Sequence, residues 1–198
     1  MSDIFKTLST STEGIYKEKG SKFLSFAIPV QSADEIKEII KAYKKEFYDA
    51  RHVCYAYMLG VERKNWRAND DGEPSGTAGK PILGQINSRE LTNVLVIVVR
   101  YFGGILLGTG GLTVAYREAA ADALNQAGII EKTVDQVFTI SFEYVLMNDV
   151  MRVIKDLNAE ILSQSFDNQC WMQLSIRKQD ATLLTGKLEK INNLLIEN

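Results

Sequence analysis

Asp70, Asp71 and Glu73 place three carboxylates within four positions, and His52 is the single histidine of the chain. Carboxylates this close together can hold a hard cation. A calcium loop, however, needs further oxygen ligands at set offsets, and they are missing here. The simpler reading is a turn whose acidic side chains satisfy loop amides. His52 must carry any imidazole acid–base chemistry. A triad built on it would take Ser75, Thr77 or Cys54 as nucleophile and Asp70 or Asp71 as orienter. No G-x-S-x-G elbow marks a nucleophile, and Ser75 follows a proline in a turn. His52, next to Arg51, reads either as a polar anchor for the long loop or as part of a ligand surface.

A second cluster offers anion chemistry. Gly103, Gly104, Gly108, Gly110 and Gly111 bring five of the fourteen glycines into nine positions, directly after Arg100. A glycine-rich turn that delivers the chain to a helix leaves backbone N–H groups free at the helix's positive end. Walker-type binding is excluded, because Leu112 and Thr113 stand where that pattern needs Lys and Ser or Thr. The dinucleotide pattern G-x-G-x-x-G fails as well, with Thr113 at its last glycine. The alternative is structural: glycines that permit tight packing and positive φ.

The elements that must position these residues are legible. Val94 to Val99 is a short β-branched run without alternation, and it reads as a central strand covered on both faces and ending on Arg100. After Thr113 the spacing of Leu112, Ala115, Tyr116, Ala119, Ala123 and Leu124 is helical. Lys22 to Val30 reads as a strand limited by Pro29. Ser32 and Glu35 form a capping box before a helix with Ile36, Ile39, Ile40, Tyr43 and Phe47 on one face. Its lysines at 37, 41, 44 and 45 are the solvated side. Val53 to Leu59 is a further strand, with Arg51 and His52 at its mouth. From Glu62 to Gly79 the apolar pattern stops, which predicts a long functional loop.

Composition sets the class. The chain has 198 residues, 45% of them hydrophobic, and a net charge of −2. That is ordinary for a soluble globular protein, with no global basic field to recruit nucleic acid. No stretch is long and apolar enough to span a bilayer and no signal peptide opens the chain, so a cytoplasmic protein without membrane contact is expected. Cys54 and Cys170 are far apart and lack metal-ligand spacing, which predicts two buried reduced thiols. Neither a metal nor a cofactor is expected. Residues 1 to 130 carry 16 basic and 15 acidic side chains, whereas 131 to 198 carry 7 and 10. Any polyanion contact is thus expected in the first part.

From Asp70 to Leu83 the sequence DDGEPSGTAGKPIL, followed by NVLVIVVRYFGGILLGTGGLTVAY, closely resembles the signature of the IMPACT/YigZ family. Arg100, Tyr101, Phe102, Gly103, Gly104, Leu107 and Gly108 meet the family's R-aromatic-aromatic-G-G-x-x-aliphatic-G pattern, and Ala50-Arg51-His52 also looks like that family. The resemblance covers most of residues 1 to 130. It implies an N-terminal domain like domain 2 of ribosomal protein S5, an α/β sandwich, and a second ferredoxin-like domain similar to one of elongation factor G. It also implies a translation-linked binding role, since eukaryotic IMPACT regulates translation through a partner of an eIF2 kinase. It brings no established catalytic residues.

From Val134 onward the pattern alone reads strand, helix (148 to 157), strand, an Asp167-Asn168 turn, strand and helix (180 to 191). A short strand near 194 to 196 completes a split β-α-β plan. The expected whole is an α+β chain with a domain at 1–130 and a ferredoxin-like βαββαβ domain at 131–198. Two functions fit. One is a non-enzymatic protein that binds RNA, the ribosome or a translation-associated protein and modulates translation or stress response. The other is an enzyme acting on a phosphorylated or nucleotide ligand held by the glycine turn. Both use one surface: Arg51, His52, Arg67, Asp70, Asp71, Glu73, Ser75, Thr77 and Lys80, with Arg100, Gly103, Gly104, Gly108, Thr109, Gly110, Gly111 and Arg117.

Overall fold

The structure, a computed structural model, describes residues 3–167 and 169–197. The chain divides into two compact units, Phe5–Lys132 and Thr133–Asn198, the latter joined by Met1–Ile4.

The larger unit begins with β1 (Ile4–Leu8), β2 (Thr12–Glu18) and β3 (Ser21–Pro29). Helix α1 (Ala33–Glu46) follows, and its Ser32 cap accepts the Glu35 N–H while Glu35 accepts the Gln31 N–H, as the capping box predicts. Next come β4 (His52–Leu59), β5 (Asn65–Asn69), α2 (Gly79–Ser88), β6 (Val94–Tyr101), α3 (Gly108–Gln126) and β7 (Ile129–Thr133). Five strands form one sheet in the order β2-β3-β6-β4-β5, every neighbour antiparallel, while β1 and β7 pair separately. Strand β6 is the central strand expected from its β-branched run, and Val94 to Val99 are fully buried.

Alternation on the strands feeds two cores. On one face Phe23, Cys54, Met58 and Val98 pack with Ile82, Ile86, Leu112, Tyr116 and the alanines of α3. On the other face Phe26, Val53, Tyr55, Ile97 and Val99 pack under Ile36 of α1.

The structure departs from the sequence reading in two places that matter for the site. The stretch from Glu62 to Gly79 is not a structureless loop, because β5 forms inside it and leaves only 62–64 and 70–78 without a regular element. NWRAN carries no hydrophobic period because it is an edge strand with its first three residues exposed. Helix α3 starts at Gly108, before the helical periodicity begins, so three of the glycines lie in its first turn.

The second unit runs β8 (Asp135–Phe142), α4 (Met147–Asp156), β9 (Glu160–Phe166), β10 (Cys170–Arg177), α5 (Lys178–Leu188) and β11 (Leu195–Glu197), a β-α-β-β-α-β order. Its antiparallel sheet is ordered β11-β8-β10-β9, with Phe138, Ile140, Met172 and Leu174 facing Val150, Ile154, Leu184 and Leu188. The expected Asp167-Asn168 turn includes Asn168, which lies outside the described residues. Both domains are α+β, as the sequence pattern implies.

Candidate functional site

The chemistry-bearing residues meet at one end of the five-stranded sheet. His52 opens β4 and pairs in register with Arg100 near the end of β6, and Phe23 on β3 pairs with Arg100 from the other side. The segment 70–78 folds across this end. It is built from the carboxylates upward. Asp70 accepts the N–H groups of Gly76 (2.9 Å), Ala78 (3.0 Å) and Gly79 (2.8 Å), closing the segment and satisfying the start of α2. Burial pushes the Asp70 carboxyl up, but these backbone donors outweigh it and hold it below its ordinary value.

Asp71 takes left-handed backbone (φ 45°) and bonds in two directions, accepting the Val53 N–H at 2.7 Å and the ammonium of Lys44. The Asn69 side chain accepts the Asp71 N–H, so the turn is locked from both ends.

Glu73 is the centre. Its carboxylate accepts from Arg100 Nη1 at 2.6 Å and from the Tyr116 hydroxyl at 2.8 Å, and its side chain is 3% exposed. His52 Nε2 stands 3.8 Å from the same oxygen. His52 Nδ1 lies 2.8 Å from the Asp71 carbonyl oxygen, which can only accept, so Nδ1 carries the proton. Beneath, the Cys54 thiol reaches the Asp70 carbonyl (3.0 Å) and the Tyr116 hydroxyl (3.4 Å). Burial pushes both Cys54 and Tyr116 upward, so the thiol stays protonated and is a poor nucleophile. The Arg100 guanidinium lies over the rings of Phe23 and Phe102, at 5.6 and 5.7 Å.

The Arg100 side chain is 6% exposed and faces the Glu73 carboxylate, so its charge is balanced inside the protein. The triad does not assemble. Thr77 donates to the Pro74 carbonyl, Cys54 bonds as above, and none of the three nucleophile candidates bonds to His52 among the described residues. Each loop carboxylate is committed to N–H donors, a lysine or an arginine. Tyr116 and Cys54 complete the cluster, and sequence reasoning passed over Tyr116 although it is the one large polar side chain in an alanine-rich helical stripe.

The other candidates lie outside the buried cluster. Ser75 and Lys80 are exposed on the segment and the first turn of α2. Arg51 lines a shallow depression with Asp49, Ala50, Tyr101 and Phe102. Arg117 pairs with Glu118 on the surface of α3 at 3.0 Å, and Arg67 stands apart on the edge strand β5.

The glycine turn divides by role. A Cβ on Gly103 would lie 1.9 Å from the Gly20 carbonyl carbon, so Gly103 is needed for close packing against the β2–β3 turn. Gly104 and Gly108 take positive φ, whereas Gly110 borders open space and Gly111 meets Leu107. Between them Phe102, Ile105 and Leu106 are exposed, Leu106 to 84%. Helix α3 has no side-chain cap and no acidic residue in its first turn, so the N–H groups around Thr109, Gly110 and Gly111 have no capping side chain.

This α+β sandwich, with an arginine–glutamate pair closing one end of its sheet, matches the Impact N-terminal domain over residues 19–124, a span that includes every residue of the cluster. Over 136 residues the chain is 37% identical to the IMPACT family member YvyE of Bacillus subtilis, covering 69% of this chain and 63% of that one, less than two thirds of the relative's length. It is 30% identical over 172 residues to the IMPACT family member YigZ of Escherichia coli, covering 86% and 84%. A solved structure described as that of a hypothetical protein superposes with a TM-score of 0.75 at 26% identity, covering 99% of this chain and 97% of the other. The chain belongs to the IMPACT family. Among the described residues, no helix is long and apolar enough to cross a membrane.

Proposed function

We propose that this chain is a non-enzymatic cytoplasmic protein that binds RNA, the ribosome or a translation factor and thereby modulates translation or a stress response. Family membership supports the link to translation. The observation that favours binding over catalysis is the internal satisfaction of the acid–base groups. Glu73 is held by Arg100 and Tyr116, Asp70 by three backbone amides, and Asp71 by Val53 and Lys44. A general base must reach a substrate proton, and these carboxylates are saturated by protein donors. What remains outward is a recognition surface: the apolar tip Phe102, Ile105 and Leu106, the amino end of α3, and the exposed cations Arg51, Lys80 and Arg67.

The test is affinity purification of the tagged full chain from a bacterial lysate at low salt, with nuclease-treated and untagged controls. RNA, ribosomal subunits or a translation factor should be enriched. A phosphorylated metabolite retained in stoichiometric amount, with none of those enriched, would overturn the proposal in favour of a small-molecule enzyme using the amino end of α3 as its anion site.

A further inference from the structure

The charges of α1 are not spread evenly around the helix. At about 3.6 residues per turn, Lys37, Lys41 and Lys44 fall on one flank and Glu35 and Glu46 on the opposite one. Contacts fix which way each flank faces. Lys44 bonds to Asp71 just beyond β5, and Lys37 lies within electrostatic range of the Tyr57 hydroxyl on β4. Tyr43 instead feels Glu46 and Glu13, the latter on β2 at the far edge of the sheet. The basic flank therefore looks toward β4 and β5.

Helix α1 covers the middle of its sheet face, where Phe26 meets Tyr43 and Phe47. Strand β5 lies beyond it at the edge. Arg67 pairs in register with Tyr57, so both side chains are on the α1 face, and Asn65 and Asn69 flank Arg67 on that same face. The result is a strip with three lysines along its wall, a half-buried Tyr57 beside them, and exposed Arg67 on its floor. Lys37 pairs with Asp34 and Lys44 with Asp71. Among the described residues, Lys41 and Arg67 have no carboxylate at ion-pair distance.

Resting on the RNA arm of the function proposed above, we propose that single-stranded RNA binds along this strip, with phosphates on Lys41 and Arg67 and a base stacked on Tyr57. The net charge of −2 gives no general attraction for a polyanion, so the local concentration of positive charge selects the face. An acidic peptide would match the lysines but has no use for an aromatic platform. A duplex hides its bases and would leave Tyr57, Asn65 and Asn69 idle. An unpaired strand uses all of them, through stacking on the ring and hydrogen bonds from the amides to base edges.

The experiment is fluorescence anisotropy of a labelled short oligouridylate with the full chain across a salt series. Its arms are wild type, Lys41→Glu/Arg67→Glu, Tyr57→Leu, and Lys155→Glu/Lys190→Glu as an equal charge change in the second unit. Lys41 and Arg67 are exposed, so their reversal leaves the core intact. Wild type should bind, and the Lys41/Arg67 variant should lose about a hundredfold at low salt. Its log–log salt slope should become shallower by about 1.4, from two contacts at about 0.7 each on single strands. Tyr57→Leu keeps the apolar bulk but removes the stacking ring and should lose about tenfold, and the second-unit variant should lose less than about threefold. Equal losses in the two charge variants, or undiminished binding by Lys41→Glu/Arg67→Glu, would overturn the strip while leaving RNA binding elsewhere standing. A wild type that binds duplex or an acidic peptide but no single strand overturns it too. Ribosome or translation-factor enrichment in the purification above would then show that the broader function survives.

Discussion

The Glu73 carboxylate receives the Arg100 guanidinium at 2.6 Å in a place where neither side chain is more than 6% exposed. Glu73 comes from the segment between β5 and α2, Arg100 from the central strand, so this pair ties the segment to the sheet. Arg100 Nε is buried without a hydrogen-bond partner, which leaves the pair dependent on Nη1 and on the aromatic rings around it. Truncating one member of a buried pair strands the other charge, which typically costs about 3 to 5 kcal/mol.

Arg100→Ala should therefore lower the unfolding free energy by about 3 kcal/mol or more. Glu73→Gln should do so by less, since its amide oxygen still accepts from Tyr116. In a double-mutant cycle read by chemical denaturation the two losses should fall well short of additive. Additive losses, or an Arg100→Ala protein of native stability that fails to bind its ligand, would mean that Arg100 serves the ligand rather than the fold.

Asp70 gives the same segment a pH dependence. Its folded carboxyl titrates below its ordinary value: burial works against this, and the amides of Gly76, Gly79 and Ala78 prevail. The unfolded chain then binds the proton more readily than the folded one, so stability is full above the unfolded value and falls as pH drops through the folded one. Unfolding free energy should decline below about pH 4. Asp70→Ala should cost about 1 kcal/mol at neutral pH, as lost caps do, and should flatten the acid limb of the profile. A profile identical to wild type in denaturant melts from pH 7 to acid would remove Asp70 from this role.

Much of this was legible in the sequence because local patterns and burial agree. The buried run Val94–Val99, the capping box at Ser32 and the alternation of β8 and β10 each have a single structural solution. The pairing of Glu73 with Arg100 was not legible: the two are 27 positions apart, and only the sheet brings them together. The segment's carboxylates read as turn anchors, but their partners depend on where β4 and α2 end. Strand β5 escaped notice because an exposed edge strand has no hydrophobic period. The lysines of α1 read as a solvated side, and only the sheet register puts Arg67 on the face that this helix covers.

The fragment 5–132 should fold by itself. Its two cores, one around Phe23 and Tyr116 and one around Phe26 and Ile97, are built from its own residues, and the second unit has its own core around Ile140 and Met172. The fragment should keep β7, whose pairing partner β1 would otherwise be left with an open edge. A dispersed amide spectrum and a cooperative melt are expected. A fragment that binds hydrophobic dye and melts without cooperativity would show that the units depend on each other.

The glycine turn supplies the sharpest separation of structural from functional demand, because neighbouring glycines predict opposite outcomes. A side chain on Gly103 would collide with backbone, 1.9 Å from the Gly20 carbonyl carbon and 2.1 Å from the Ser21 nitrogen, with no flexible group to yield. Gly103→Ala should therefore melt early, and the loss should include the bond from the Gly103 N–H to the Ser21 hydroxyl. Gly110 is different: it lies in the first turn of α3, its φ is not positive, and a Cβ there would meet nothing within 4 Å. Alanine is the better helix former, so Gly110→Ala should raise stability by about 0.5 kcal/mol. Binding by this variant then reads the turn's function without interference from folding. If an RNA phosphate or another anion approaches the free amides of α3, the added methyl should weaken binding while the melt rises. Unchanged binding in a stabilised Gly110→Ala protein would leave this helix end out of recognition and confine the contact to the exposed cations and the apolar tip.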